Sequence, residues 1–194
     1  MKPFNIKAIA IPTVSLFAIC LIVTALLAGT NAMTADTIAR QSLEKASQSR
    51  SVVLPQAKDF KECTLDDKTY YQGLDDSGNI VGYTFTTAAK GYGGEVQVMT
   101  GIDSTNAVSG VVILSQNETP GLGANAEKDV FKDQFKQQLT WDGGMFTVIK
   151  NAQPTTGEIQ AMTGATITSK AVANAVNEAV DMYYKVAVDK GADK

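Results

Sequence analysis

The feature that most constrains this chain is a long uncharged segment near its amino terminus. No charged residue occurs from Ala8 to Ala35, and the part Ala8–Gly29 is mostly apolar. A helix needs about 20 apolar residues to cross the hydrocarbon core of a bilayer, so this segment is long enough to span it. The 194 residues therefore predict one membrane segment followed by one compact domain.

Two lysines predict the orientation of this segment. Lys2 and Lys7 precede it, and such basic residues favour the cytoplasmic side. We expect a single-pass protein of the inner (cytoplasmic) membrane whose soluble domain lies on the extracytoplasmic side. A cleaved signal peptide is the alternative, because Thr30-Asn31-Ala32 offers small residues for a cut. Typical signal cores are shorter, about 7–15 apolar residues, and both alternatives export the domain.

Charge and composition exclude several classes of function. The formal net charge is -3, and beyond residue 35 there are 15 basic and 20 acidic residues, so no basic field suits the chain to nucleic acid. Without histidine, Ser-His-Asp and Cys-His catalysis and most catalytic zinc sites are excluded. The two cysteines, Cys20 in the apolar segment and Cys63 beyond it, cannot supply four thiolates to an iron–sulfur cluster. Redox chemistry in this chain would need another cofactor.

A polar helical stalk is predicted after the apolar segment. Thr34 or Asp36 can cap a helix that runs to about Arg50, and Pro55 breaks it. The run Val52-Val53-Leu54 is expected to pack onto the following domain. The predicted division is residues 1–32 for the cytoplasmic amino terminus and transmembrane anchor, 33–55 for the stalk, and 56–194 for the domain.

The remaining residues show strand patterns first and helical patterns mainly later. Strands are predicted at Tyr70-Tyr71, at the alternating Val81, Tyr83 and Phe85, and over Val96–Ile102, Val108–Leu114 and Phe146–Ile149. Helices are predicted from about Asp129 to Leu139, with Phe131 and Phe135 on one face, and from near Ser169 onward. Because strands and helices are grouped rather than regularly alternating, the predicted fold class is α+β.

Two glycine-containing loops are candidates for a ligand site. Gly91-Tyr92-Gly93-Gly94 lets the backbone approach a neighbour closely. Asn117-Glu118-Thr119-Pro120-Gly121-Leu122-Gly123 combines a carboxylate, a hydroxyl and an aliphatic side chain, the mixture that a planar ligand requires. Each loop, taken alone, is also compatible with a plain turn between strands.

A third loop lies directly before the last predicted helix. Thr163-Gly164-Ala165-Thr166-Ile167-Thr168-Ser169-Lys170 would place hydroxyl groups at a helix amino terminus, where free N–H groups favour a phosphate. An ordinary helix cap, supplied by Thr168 or Ser169, is the alternative.

The three loops together resemble a known family. Thr163–Ser169 is similar to the flavinylation motif of FMN-binding domains, which occur in the G subunit of the Rnf complex and in the C subunit of the Na+-translocating NADH:quinone reductase. Gly91–Gly94 and Glu118–Gly123 also resemble these families, in the same order after one span. The short length and the Glu-Thr-Pro-Gly-Leu-Gly loop are more similar to the Rnf protein. One departure is Gln160, where the family usually has aspartate.

The resemblance implies a cofactor and the residues that hold it. Thr166 would carry FMN covalently, through a phosphodiester formed on its hydroxyl, and no side chain would act as a catalytic acid or base or bind a metal. Residues expected near the flavin or its phosphate are Thr163, Gly164 and Ala165; those expected at the ring are Glu118, Thr119 and Leu122, and Tyr92 and Gly93 complete the set.

The resemblance also implies a function and partners. The chain would relay electrons within an ion-translocating ferredoxin:NAD+ oxidoreductase complex, with the other membrane and peripheral subunits as partners and a flavin transferase for maturation. The corresponding subunit of the quinone reductase is the alternative within the class. A membrane-anchored binding module without redox function is the alternative from another class.

Overall fold

A computed structural model describes residues 6–139, 146–150 and 152–192. The chain divides into two compact units, Met1–Glu44 and Lys45–Lys194. The first helix, α1 (Ile6–Val53), contributes to both units. Within the described residues, this is the one helix that is long and apolar enough to cross a membrane, judged by length and composition.

The prediction that a separate stalk helix begins at Thr34 or Asp36 is wrong. Helix α1 continues through both positions. The Thr34 hydroxyl donates to the Thr30 carbonyl at 3.0 Å, so it bonds back into the preceding turn instead of capping a new helix. The physical reason is that nothing between residues 30 and 36 interrupts the backbone hydrogen-bond ladder: this part contains neither proline nor glycine.

A five-stranded antiparallel sheet follows, with its strands in chain order. Its strands are β1 (Asp59–Leu65), β2 (Lys68–Leu74), β3 (Ile80–Lys90), β4 (Glu95–Asp103) and β5 (Val108–Ser115). Aspartates accept hydrogen bonds within two of the turns, Asp75 between β2 and β3 and Asp103 between β4 and β5. Asp75, for example, accepts backbone N–H bonds from Ser77 and Asn79, each at 2.8 Å. Strand β1 was not predicted, because its exposed charged residues interrupt an alternating apolar pattern.

The chain after the sheet forms short elements and one long helix. They are a 3₁₀ turn at Gly123–Glu127, helix α2 (Asp129–Lys132), a second 3₁₀ turn at Asp133–Phe135, the parallel pair β6 (Thr147–Ile149) and β7 (Glu158–Gln160), and helix α3 (Thr166–Ala192). The α+β fold class with one amino-terminal apolar helix is therefore confirmed.

The helix predicted from about Asp129 to Leu139 is shorter in the structure, but the apolar side chains predicted on one of its faces are buried. Helical structure ends at Phe135, and the following segment instead bonds to the β4–β5 turn, where the Leu139 N–H donates to the Asn106 carbonyl at 2.8 Å. Phe131, Phe135 and Leu139 are all buried. A tertiary backbone contact has therefore replaced the last helical turn without exposing the apolar side chains.

Helix α3 covers one face of the sheet and contacts β3 and β4. The apolar stripe predicted for it is confirmed, since the following residues are at most 5% exposed: Val172, Ala175, Val176, Ala179, Val180 and Tyr183. The Tyr183 ring lies 5.8 Å from that of Tyr83, between centroids, and Phe85 is fully buried in the same core. These contacts hold α3 along the sheet.

The end of α1 packs on a patch of glycines in the sheet, which we call the glycine platform: Gly73, Gly82, Gly101 and Gly110. A Cβ atom added to Gly101 would lie 2.3 Å from the Val53 carbonyl oxygen, so a larger residue has no room there. The Ser109 hydroxyl donates to the same oxygen at 2.5 Å. Val53 and Leu54 are fully buried, as predicted, whereas Val52 is exposed.

Candidate cofactor-binding site

The three loops singled out in the sequence meet around one cavity of about 510 Å³. This volume falls within the range of about 300–1,000 Å³ that is typical of small-molecule sites. Its lining residues come from the glycine loop after β3, the loop after β5 and the start of α3: Tyr92, Glu118, Thr119, Leu122, Gly123, Gly164, Ala165, Thr166, Ile167 and Thr168. The fold thus brings together residues that are far apart in the chain.

Thr166 is the first residue of α3 and is half-buried at the cavity. The helix ladder begins with the Ser169 N–H, which donates to the Ala165 carbonyl at 2.9 Å. The N–H groups of residues 166–168 therefore lie ahead of that ladder, as at any helix amino terminus. Within the described part of the chain, no hydrogen bond involves the Thr166 hydroxyl. This hydroxyl is thus available beside groups that favour a phosphate.

Helix α3 begins at Thr166, slightly before the start expected near Ser169. The alternative in which Thr168 or Ser169 caps it is wrong, because both residues lie inside its first turns. The Ser169 hydroxyl donates to the Ala165 carbonyl and accepts the Met162 N–H, at 2.9 and 3.0 Å. The Ser169 hydroxyl therefore links the loop before the helix to the first turn of the helix. Thr168 is buried and donates its hydroxyl to a carboxylate from another loop. Both hydroxyls are therefore used in contacts other than capping the helix.

Gly164 needs the conformational freedom of glycine. Its φ is +73°, in the left-handed region that glycine adopts without steric cost. A Cβ atom at this position would lie 3.0 Å from Cδ2 of Leu122. The glycine therefore allows the loop before α3 to turn sharply while approaching the aliphatic wall of the cavity.

The Glu118 carboxylate contacts both of the other loops. It is 6% exposed. Its Oε1 accepts the Gly93 N–H at 2.9 Å, and its Oε2 accepts the Thr168 hydroxyl at 2.5 Å. A buried carboxylate requires such donors, because burial without them would cost several kcal/mol.

The structure places the predicted site residues as follows. Those lining the cavity are Tyr92, Glu118, Thr119, Leu122, Gly164, Ala165 and Thr166. Gly93 joins the site through its bond to Glu118. Thr163 instead lines a neighbouring cavity of about 550 Å³, together with Gln160.

Three further residues line the cavity without having been predicted as flavin contacts: Gly123, Ile167 and Thr168. The alternation of hydroxyl and apolar residues at the start of α3 was the available signal for the last two. The roles assigned to individual residues by the resemblance stay predictions.

The chemistry of the cavity fits FMN. A phosphate is favoured at the start of α3, next to the hydroxyl of Thr166. Apolar surface for a ring system comes from partly exposed side chains, Tyr92 (73%), Ile167 (55%) and Leu122 (44%). In the described part of the chain, no group of three or more Cys, Asp and Glu residues is placed to hold a metal ion.

The fold and this cavity define a membrane-anchored FMN-binding domain. Residues 91–181 match the FMN-binding domain family, and residues 1–53 match the RnfG N-terminal region. The chain belongs to the RnfG family of the ion-translocating oxidoreductase (Rnf) complexes.

Curated relatives support the assignment to the RnfG family, since each is named as the G subunit of its complex. The chain is 37% identical to that of the Na(+)-translocating ferredoxin:NAD(+) oxidoreductase complex of Acetobacterium woodii, over 87% of this chain and 88% of the relative. It is 34% identical to that of the proton-translocating ferredoxin:NAD(+) oxidoreductase complex of Clostridium ljungdahlii, over 87% and 88%. It is also 34% identical to that of the ion-translocating oxidoreductase complex of Methanosarcina acetivorans, over 90% and 94%.

A solved structure shows the same fold. The crystal structure of Shewanella oneidensis NqrC matches with a TM-score of 0.51 and 22% identity, over 64% of this chain and 66% of that one. The match to the RnfG N-terminal region and the identity to the relatives confirm the resemblance to the Rnf family drawn from the sequence. They support that family better than the alternative, the quinone reductase.

Proposed function

We propose that this chain relays electrons through FMN as the membrane-anchored flavoprotein subunit of an ion-translocating ferredoxin:NAD+ oxidoreductase complex. Its relatives are named as subunits of such complexes, and its carboxyl-terminal part matches an FMN-binding domain. The single observation that carries the proposal is the cavity itself. In it, the loops after β3 and β5 and the start of α3 surround the available hydroxyl of Thr166.

Attachment of the cofactor is proposed at Thr166. Its Oγ1 would attack the FMN phosphorus of FAD while the bond from that phosphorus to the AMP phosphate breaks. AMP would leave, and the hydroxyl proton would pass to solvent. The product is a phosphodiester, and a flavin transferase is the expected catalyst. The free N–H groups at the start of α3 would hold the phosphate of the product.

The chain's own residues would position the flavin rather than react with it. When bound, FMN supplies one-electron redox chemistry. Leu122 and Thr119 would border the ring, and Gly164 and Ala165 would lie against the linkage, because all four line the same cavity. Attachment through phosphate leaves the ring free of a covalent bond to protein.

Location and partners follow from the same proposal. The apolar segment anchors the chain in the cytoplasmic membrane, and Lys2 and Lys7 favour an extracytoplasmic domain. The partners are the other membrane and peripheral subunits of the complex. The division into an anchor (residues 1–32), a stalk (33–55) and an FMN-binding domain (56–194) is part of this proposal.

The test is Thr166→Val in the full-length chain, coexpressed with a flavin transferase. Valine keeps the shape of threonine without the nucleophilic oxygen, so the variant should fold and carry no covalent flavin. Intact mass and peptide mapping should find one FMN on Thr166 of the wild type. Thr163→Val should still become covalently labelled, because Thr163 lines the neighbouring cavity.

Two results would contradict the proposal. A wild-type chain that carries no flavin after denaturation and membrane extraction would favour a binding module without redox function. Covalent flavin that persists in Thr166→Val would assign the attachment to another hydroxyl.

A further inference from the structure

We propose that Glu118 is a positioning residue that sets the direction of the Thr166 hydroxyl by holding the first turn of α3 against the glycine loop. This inference rests on the proposed function, since it concerns the residue that receives FMN. It assigns to Glu118 a role that acts through Thr168 and Gly93 and needs no contact with the flavin.

Both carboxylate oxygens of Glu118 accept hydrogen bonds from within the protein. Oε1 accepts the Gly93 N–H at 2.9 Å and Oε2 accepts the Thr168 hydroxyl at 2.5 Å. Hydrogen bonds to a charged acceptor are about twice as strong as those between neutral groups. One side chain thereby joins three loops that are otherwise separate in the chain.

The backbone that carries the Glu118 side chain is hydrogen-bonded as well. Its backbone N–H donates to Oε1 of Gln116 at 2.6 Å. The amide nitrogen of Gln116 in turn donates to the Glu127 carboxylate at 3.0 Å. The carboxylate is therefore presented from a fixed loop, which is a requirement for positioning another residue.

The hydrogen bond between Glu118 and Thr168 is closely surrounded by protein atoms. A Cβ atom added to Gly123 would lie 2.5 Å from Oε2 of Glu118 and 2.6 Å from the Thr168 hydroxyl oxygen. The residues that the bond joins are 6% and 1% exposed. Both groups line the cavity, yet each exposes little surface through which water could compete for the bond.

The consequence concerns Thr166, which lies two residues before Thr168 in the same helical turn. Holding Thr168 fixes the rotation of this turn about the helix axis, and with it the direction of the half-buried Thr166 side chain. The charge of Glu118 at the amino-terminal end of α3 also interacts favourably with the helix dipole. Removal of the carboxylate would leave the buried Thr168 hydroxyl and the Gly93 N–H without this acceptor.

The test compares Glu118→Ala, Thr168→Val, their double variant and Glu118→Gln with the wild type. The matched control is Thr87→Val, because Thr87 is also buried and also donates to α3, at the Ala175 carbonyl at 2.7 Å, away from the cavity. The full-length chains are purified without flavin in detergent. Each is then given FAD and a flavin transferase, and the rate of attachment is followed by intact mass.

We expect Glu118→Ala and Thr168→Val to slow attachment about tenfold or more, because displacing a reacting group by about 1 Å can cost about a hundredfold in rate. The double variant should be no slower than Glu118→Ala, because the bond that Thr168→Val removes is one of the two that Glu118→Ala already removes. Glu118→Gln can still accept the Gly93 N–H and bond Thr168, so it should recover part of the rate. Thr87→Val should lose about as much thermal stability as Thr168→Val, yet its rate of flavin attachment should stay within about twofold of the wild-type rate.

A second readout needs no flavin. Amide hydrogen exchange at Gly93 should accelerate about tenfold or more in flavin-free Glu118→Ala and stay unchanged in Thr87→Val. The inference would be overturned if amide exchange at Gly93 were unchanged in Glu118→Ala. It would also be overturned if Glu118→Ala and Thr168→Val both folded and attached flavin at the wild-type rate. An equal slowing by Thr87→Val would overturn it as well, because the effect would then follow stability alone. A wild-type chain that takes no flavin would instead refute the proposed function, while exchange at Gly93 would still report on the bond.

Discussion

Substituting Gly101 by alanine should loosen the end of α1 from the sheet. The new Cβ atom would lie 2.3 Å from the Val53 carbonyl oxygen and 2.9 Å from the Ser109 hydroxyl oxygen. Ordinary van der Waals contact begins at 3.4 Å, so the Val53 backbone must retreat by about 1 Å, a displacement typical of an overpacked core. Because Ser109 donates to that same carbonyl at 2.5 Å, the retreat would also stretch this hydrogen bond beyond its normal range.

The expected loss of stability combines three contributions. Overpacking costs about 1–3 kcal/mol, and the weakened bond from Ser109 costs about 1 kcal/mol. Alanine instead of glycine in a strand returns about 0.5–1 kcal/mol. The net loss in the free energy of unfolding is therefore about 1–3 kcal/mol. For a domain of this size each kcal/mol lowers Tm by about 2–4 °C, so we expect a decrease of about 2–12 °C.

The assay is differential scanning calorimetry of the full-length chain in detergent. Ser109→Ala isolates the hydrogen bond and should lower Tm by about 2–4 °C. The double variant should cost less than the sum of the single variants, because the Ser109 hydroxyl is itself one of the atoms that the new Cβ meets. A Gly101→Ala protein as stable as the wild type would show that Val53 is not held at the glycine platform.

Two further predictions concern the cavity and the topology. Leu122→Ala should keep covalent FMN, because Leu122 has no reactive group, but should shift the flavin midpoint potential in a spectroelectrochemical titration; an unchanged potential would place the ring elsewhere. For the topology, the test substitution is Ser77→Cys, because Ser77 is exposed in the β2–β3 turn. It is made in a chain in which Cys20 and Cys63 have been replaced. A membrane-impermeant thiol reagent should label it from outside intact spheroplasts, whereas Asn5→Cys, on the other side of the span, should react only after lysis. The reverse pattern would show that the domain is cytoplasmic.

Local patterns in the sequence predicted much of the architecture. A run of about 20 apolar residues is long enough to cross a bilayer whatever the rest of the fold is. The prediction of this segment therefore did not depend on any tertiary contact. The alternation around Tyr83 and the apolar stripe of α3 likewise follow from the repeat of a strand and a helix, and both elements are present. The motif at Thr163–Ser169 also indicated the family, because it is a continuous stretch of chain.

Element boundaries were predicted less well, because other parts of the fold decide them. Helix α1 passes through Thr34 because no residue there interrupts the ladder, although Thr34 and Asp36 are good caps. The predicted helix before Leu139 ends early because its backbone bonds to the β4–β5 turn. In both cases, the local preference was weaker than the available continuous or long-range hydrogen bonding.

The sequence by itself determined the long apolar segment at the amino terminus, the class of fold and the three loops that carry the candidate site. Only the tertiary structure decided how those loops are joined. Glu118 and Thr168 are separated by 50 residues, yet one buried hydrogen bond connects them, and no local pattern encodes such a pair. The same holds for the glycine platform. Its glycines share a role, that of leaving room for the end of α1, only because the fold places Val53 on them. The physical reason is that propensity and periodicity act between near neighbours in the chain, whereas burial and hydrogen-bond satisfaction depend on which distant residues the fold brings into contact.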